Sequence, residues 1–133
     1  MIMPQPDPPP GFAPMPSESP FVNLNGRFYS RTAEDGQRIV GAWVGHEQTN
    51  SEGVAHGGYL LAFADYALTD VGKSVTLSMT TDFLRPAPLG SWLEAKVQIR
   101  KQSPNLQFAD ALVEADGKLV LRVTGLFKPF VQG

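Results

Sequence analysis

A chain of 133 residues with no cysteine is one domain's worth of sequence, and it excludes disulfides, thiolate metal sites and a cysteine nucleophile. Eleven basic residues stand against thirteen acidic ones with no basic stripe, so the clustered Lys and Arg that neutralise nucleic-acid phosphates are missing. No cationic segment leads into an apolar run at the N-terminus, and no apolar stretch approaches the ~20 residues that span a bilayer; the expectation is a soluble, cytoplasmic protein with no membrane partner.

Eight of the twelve prolines, Pro4, Pro6, Pro8, Pro9, Pro10, Pro14, Pro16 and Pro20, fall in the first twenty residues. Residues 1–20 read as a proline-rich arm, disordered or clamped to the surface, and residues 21–133 as the folding unit. Within that unit a short strand over Arg27–Arg31 pairs as a hairpin with Arg38–Val44 through the turn Ala33-Glu34-Asp35-Gly36. A connection from His46 to Gly53 carries no apolar residue. The stretch from Gly57 to Asp70 then reads as a helix of about three to four turns, with Asp65 its one charge between Gly58 and Leu68. A helix apolar on every side is a buried one. Beyond Gly72 the pattern is all strand: Val75–Phe83, stopped by Pro86 and Pro88; Trp92–Arg100, in strict period two; Leu106–Glu114; and Lys118–Lys128, joined to its predecessor by the hairpin turn Ala115-Asp116-Gly117. The expected architecture is α+β: one long central helix wrapped by a curved antiparallel sheet of about six strands, the last four a meander. Such a sheet covers one side of the helix, and a second copy of the chain is the simplest cover for the other.

The segment that carries chemistry runs from Asn50 to Gly58 and on to Asp65. Two glycines at a helix start let a ligand approach the backbone, whose free N–H groups are aimed at incoming negative charge; this is the geometry of an oxyanion hole. An aspartate in an apolar helix carries a desolvation cost unless it is paired or titrates, and burial of that kind is how proteins make a carboxylate a general base. Gly57 and Asp65 are about 12 Å apart along a helix rising 1.5 Å per residue, too far to serve one carbonyl. Two antiparallel helices packed side by side would bring Gly57 of one chain to Asp65 of the other, giving a dimer with two composite sites.

The run Asn50-x5-His56-Gly57-Gly58-x6-Asp65, with Phe83-Leu84-Arg85-Pro86 closing the following strand, resembles the hotdog-fold acyl-CoA thioesterases of the PaaI type. The resemblance covers roughly Arg38 to Lys128. It implies that Asp65 is the catalytic carboxylate, acting on water or as nucleophile, that Gly57 supplies the backbone donor to the thioester carbonyl, that Asn50 orients water or carboxylate, that His56 fixes the loop, and that Thr76 places a hydroxyl beside the Asp. It implies an acyl-CoA substrate and a homodimer or a dimer-of-dimers tetramer. Gly58 falls at the same helix start. Arg85, Arg100 and Lys101 are candidates for the coenzyme A phosphates by position, and Tyr59, Leu60, Phe63 and Tyr66 for lining an acyl tunnel.

Other constellations fail. His46 and His56 with Glu47 and Glu52 do not make a His-Glu-x-x-His pair, Gly72-Lys73-Ser74 lacks the first glycine of a phosphate loop, and there is no Gly-x-Ser-x-Gly elbow. No cofactor or metal is called for. Two rivals remain beside thioester hydrolysis: a hydratase or dehydratase of the same fold acting on an enoyl or 3-hydroxyacyl thioester, and a non-catalytic acyl-CoA-binding module.

Overall fold

Alternation decides the sheet. In strand β6 (Gln107–Ala115) the side chains of Ala109, Ala111 and Val113 are fully buried, while Asp110, Leu112 and Glu114 point to the opposite face. The computed structural model, which describes residues 4–69 and 73–130, places β6 in a seven-stranded, wholly antiparallel sheet. The other strands are β1 (Ala13–Pro14), β2 (Tyr29–Thr32), β3 (Arg38–Trp43), β4 (Ser74–Phe83), β5 (Trp92–Gln102) and β7 (Lys118–Pro129). A short helix α1 (Pro20–Leu24) precedes β2, and the long helix α2 (Gly57–Leu68) lies between β3 and β4.

Helix α2 lays Leu60, Phe63, Ala64, Ala67 and Leu68 on the sheet, with Phe63 and Ala64 wholly excluded from solvent. Burying a ring such as Phe63 stabilises the fold by about 1.5–3 kcal/mol. The helix is not buried on every side in the single chain: Gly58, Leu61, Ala62 and Asp65, spaced three and four residues apart, form a stripe turned from the sheet that keeps solvent contact. Its C-cap is Thr69, so the expected continuation through Asp70 stops short, and Asp70 to Gly72 lie outside the described residues.

The strand order is β1-β2-β3-β5-β6-β7-β4, which corrects the meander expected of the last four strands. Strand β5 leaves β4 and pairs with β3, Val40 opposite Ala95, while β4 pairs with β7, Thr80 opposite Thr124. The connection 84–91 explains the separation. Its prolines bar a tight hairpin, and it pairs instead with the segment leading into α2: Ala55 N–H donates to Ala87 O at 2.7 Å, and Val54 bridges Pro88. The β6–β7 hairpin turns through Asp116 (φ 48°) and Gly117 (φ 82°), the two positive φ values that such a two-residue loop requires.

The seventh strand, β1, comes from the proline-rich arm. Ala13 and Pro14 pair with Ser30 and Tyr29, and Met15 N–H donates to Phe28 O at 2.9 Å. Upstream of β1, the Phe12 ring stands edge-on to Trp92 at 5.0 Å, with the Arg31 guanidinium 5.4 Å above the Phe12 ring. Helix α1 starts at the N-cap Ser19, whose hydroxyl accepts from Val22 N–H at 3.3 Å, with Pro20 in its first turn. No helix among the described residues is long and apolar enough to cross a membrane.

Candidate active site

The loop before α2 is held by its own polar groups. Asn50 Oδ1 accepts from Glu52 N–H at 2.9 Å and from Val54 N–H at 3.4 Å, folding the side chain into its own turn, and Gly53 (φ +77°) closes that turn. His56 is the N-cap of α2: Nδ1 accepts from Gly58 N–H at 2.8 Å, which places the proton of the neutral ring on Nε2. His56 N–H donates to Gln48 O at 2.8 Å. Gln48 is buried, its Oε1 accepting from Gly45 N–H at 2.8 Å and its Nε2 donating to Asn25 O at 3.3 Å. Sequence reasoning missed Gln48, because one buried amide in an unbroken polar stretch gives no periodic signal.

Among the described residues these bonds leave two backbone groups at the helix start outstanding, the N–H of Gly57 and that of Tyr59. The Gly58 N–H is taken by His56, whereas no acceptor among the described residues takes the Gly57 N–H at the first helical position. A Cβ built on Gly57 would lie 3.3 Å from the Phe83 ring, so this residue sits beside the end of β4. Tyr59, two residues on, is buried, and burial pushes its hydroxyl well above the usual phenol range, so it stays protonated.

Asp65 lies two turns along α2, half-buried, and its Oδ1 accepts a short hydrogen bond from the Thr76 hydroxyl on β4. The two residues open into a cleft of about 760 Å³ whose lining also includes Tyr66 and Thr69 of α2, Ser30 of β2, Ser74 of β4, Arg38, and residues 14–19, Phe21 and Val22 of the arm and α1. Of the proposed tunnel residues only Tyr66 reaches this cleft; Phe63 is core, packed on Phe28 at 5.9 Å. Within one chain the Gly57 N–H and the Asp65 carboxylate sit at opposite ends of the helix. The candidate cations divide in the same way. Arg85 follows β4 at the Gly57 end, whereas Arg100 lies on the outer face of the sheet, its Nε donating to Asp110 Oδ2 at 2.6 Å, with Lys101 exposed beside it. A single chain does not bring these three together with Asp65. No cluster of His, Asp and Glu among the described residues is placed to hold a metal ion.

Residues 46–128, which span the loop, α2 and β4 to β7, match the family described as the acyl-CoA thioesterase N-terminal domain. The chain belongs to that acyl-CoA thioesterase family. A candidate esterase of Pseudomonas aeruginosa is 32% identical to this thioesterase over 127 residues, covering 90% of this chain and 95% of the relative. A point variant of the phenylacetic acid degradation protein PaaI from Thermus thermophilus superposes with a TM-score of 0.73 at 29% identity, over 84% of this chain and 100% of that one. A hypothetical thioesterase of Streptococcus pneumoniae, solved with coenzyme A, shares the fold with a TM-score of 0.69 at 24% identity, over 79% of this chain and 87% of that one. The protein is thus an acyl-CoA thioesterase of the hotdog fold and PaaI type, and the wrapped helix is the hotdog core.

Proposed function

We propose that the thioesterase hydrolyses its acyl-CoA with Asp65 as general base and the Gly57 N–H of a second copy as oxyanion donor. The observation that carries this reading is the Thr76–Asp65 bond in an open cleft: it holds Oδ1 and leaves the other carboxylate oxygen for water. Water loses a proton to Asp65 and its oxygen bonds to the carbonyl carbon. The carbonyl oxygen gathers negative charge against the Gly57 amide. The C–S bond then breaks, and the proton leaves with the coenzyme A thiolate. His56 and Asn50 act indirectly, by fixing the loop that aims the amide.

Two features support a second copy: the length of the helix, and an uncovered helix stripe beside an edge strand. Strand β4 is the sheet's edge, with Val75 and Leu77 about half exposed, and the Gly58–Leu61–Ala62–Asp65 stripe of α2 lies uncovered near it. Pairing the two stripes antiparallel covers apolar surface and sets each Gly57 against the partner's carboxylate. The same pairing would set Arg85 of one chain at the rim of the other's site, outside the Asp65 cleft, as a cation for the coenzyme A phosphates. The hydratase alternative wants a histidine and a carboxylate exchanging protons in one pocket. His56 is instead committed to the helix cap through Nδ1, which weighs against it.

The test is free-thiol release from aromatic and straight-chain acyl-CoAs, read with Ellman's reagent against a protein that contributes no thiol of its own. Asp65→Asn and Asp65→Ala should each lose about 100-fold or more in kcat while remaining folded. Unchanged turnover in both removes Asp65 from the mechanism. Loss of enoyl absorbance without thiol release would support the hydratase.

A further inference from the structure

We propose that the proline-rich arm together with helix α1 is the specificity wall of the Asp65 cleft and that Phe21 of α1 is its contact with the acyl group; the inference rests on the thioesterase reading above. The cleft has two sides. One is the second half of α2 with the start of β4, and the other is built from residues 14–19, Phe21 and Val22, so whatever sits on Asp65 lies against the arm.

The arm has the rigidity a wall requires. Phe12 on Trp92 and the β1–β2 pairing anchor it upstream, and Met15 and Val22, both in the cleft lining, also pack against the core. Asn23 Nδ2 donates to Ser17 O at 2.9 Å and Asn25 Nδ2 to Phe21 O at 2.7 Å, so the 17–25 segment is bonded to itself around Phe21. Phe21 is the exception in this packing. Its ring is 63% exposed, lines the cleft, and takes no part in the core. Held at that place, the ring limits how far a ligand's apolar part can extend along the cleft.

Charge identifies which part of the substrate enters. The cleft lining carries two carboxylates, Asp65 and Glu18, and one guanidinium, Arg38. Phosphates are recognised by surplus cations, so the nucleotide end of coenzyme A is directed elsewhere and the acyl group is the part this cleft suits. The cleft's volume of about 760 Å³ lies within the range of small-molecule sites.

The experiment compares the full-length parent with Phe21→Ala, Phe21→Trp and Phe12→Ala on acyl-CoAs graded from acetyl to bulky aryl and long alkyl groups. The same graded S-alkyl-CoA thioethers, which cannot be hydrolysed, are titrated by calorimetry. Phe21→Trp should lower the ratio of kcat/KM between the bulkiest accepted acyl group and acetyl by about tenfold, and Phe21→Ala should raise it. Phe12→Ala, which frees the arm at its anchor, should flatten the ranking through KM more than kcat. Thioether affinities should follow the same order. A ranking that keeps its shape in both Phe21 variants, each with the parent's melting temperature, overturns the inference and leaves the thioesterase reading intact. Should the parent release no thiol at all, that reading fails, and the thioethers still decide the wall: a ranking that moves with Phe21 supports it and a fixed ranking overturns it.

Discussion

Replacing Gly57 with proline removes one hydrogen-bond donor and sets the ring Cδ where its hydrogen was. Position 57 is the first residue of α2, the helical site where proline is best tolerated, because the N–H there has no intrahelical partner. The preceding His56 already has the extended conformation that a following proline demands, φ −62° and ψ 136°. The new Cβ would meet the Phe83 ring at 3.3 Å, and that ring, 57% exposed, has room to swing aside. Folding should therefore survive, with stability within about 1 kcal/mol of the parent. If the Gly57 amide receives the charge of the thioester oxygen, its loss should lower kcat by about 10²–10³-fold, or about 2.7–4 kcal/mol of transition-state stabilisation. Gly57→Ala is the control for the added Cβ and keeps the N–H, so the excess loss in the proline variant reports the amide position itself, donor removed and Cδ in its place. The assay is thiol release under saturating acyl-CoA, with circular dichroism and a thermal melt beside it. A folded Gly57→Pro variant that turns over as fast as Gly57→Ala would refute the assignment.

Thr76→Val keeps shape and removes the hydroxyl that Asp65 accepts. Hydrogen bonds to charged groups contribute about 1.5–3 kcal/mol, so kcat should fall roughly 10- to 100-fold. The double variant with Asp65→Asn should be no slower than Asp65→Asn alone, because both changes act on one interaction; additive losses in the cycle would contradict that. Gly41→Ala tests the arm's anchor. Its Cβ would fall 2.2 Å from the Trp92 indole, which must then move away from Phe12, Tyr29 and Trp43, at 5.0, 5.9 and 4.8 Å. Three aromatic pairs at about 0.5–1.5 kcal/mol each give a loss of about 1.5–4.5 kcal/mol. It should appear as a lower denaturant midpoint by tryptophan fluorescence, and an unmoved midpoint would show that the cluster is not packed as described.

Local signals were readable from the residues alone, and long-range ones were not. The glycine pair and the apolar run announced α2, Asp116-Gly117 announced the last hairpin, and period two separated Leu93 and Ala95 from Glu94 and Lys96. The same alternation, followed further, would have set Arg100 on the outer face with those charges, where a cross-strand aspartate meets it. Trp92 also opens that outer stripe, yet it is buried, because aromatic neighbours and the arm's Phe12 cover it. Neither that cover nor the wall around Asp65 showed in the sequence, since proline content masks the few residues, Phe12, Met15 and Val22, that do the packing. The place of β4 beside β7 was hidden for another reason: a strand's own pattern says which face is buried and nothing about which neighbour it takes.

That placement has a consequence for how the chain is made. Strand β4, which carries Thr76, finds its one strand partner in β7, the last strand described. On a ribosome, α2 and β4 emerge well before residues 118–129, and until those follow, the cleft-bearing strand has no ladder to join. The sheet closes by inserting the late strand between two earlier ones, a pairing of high sequence separation and correspondingly slow formation. The carboxylate's support is thus among the last parts of the molecule to be completed, and an incompletely synthesised chain presents Val75 and Leu77 on an open edge to its neighbours.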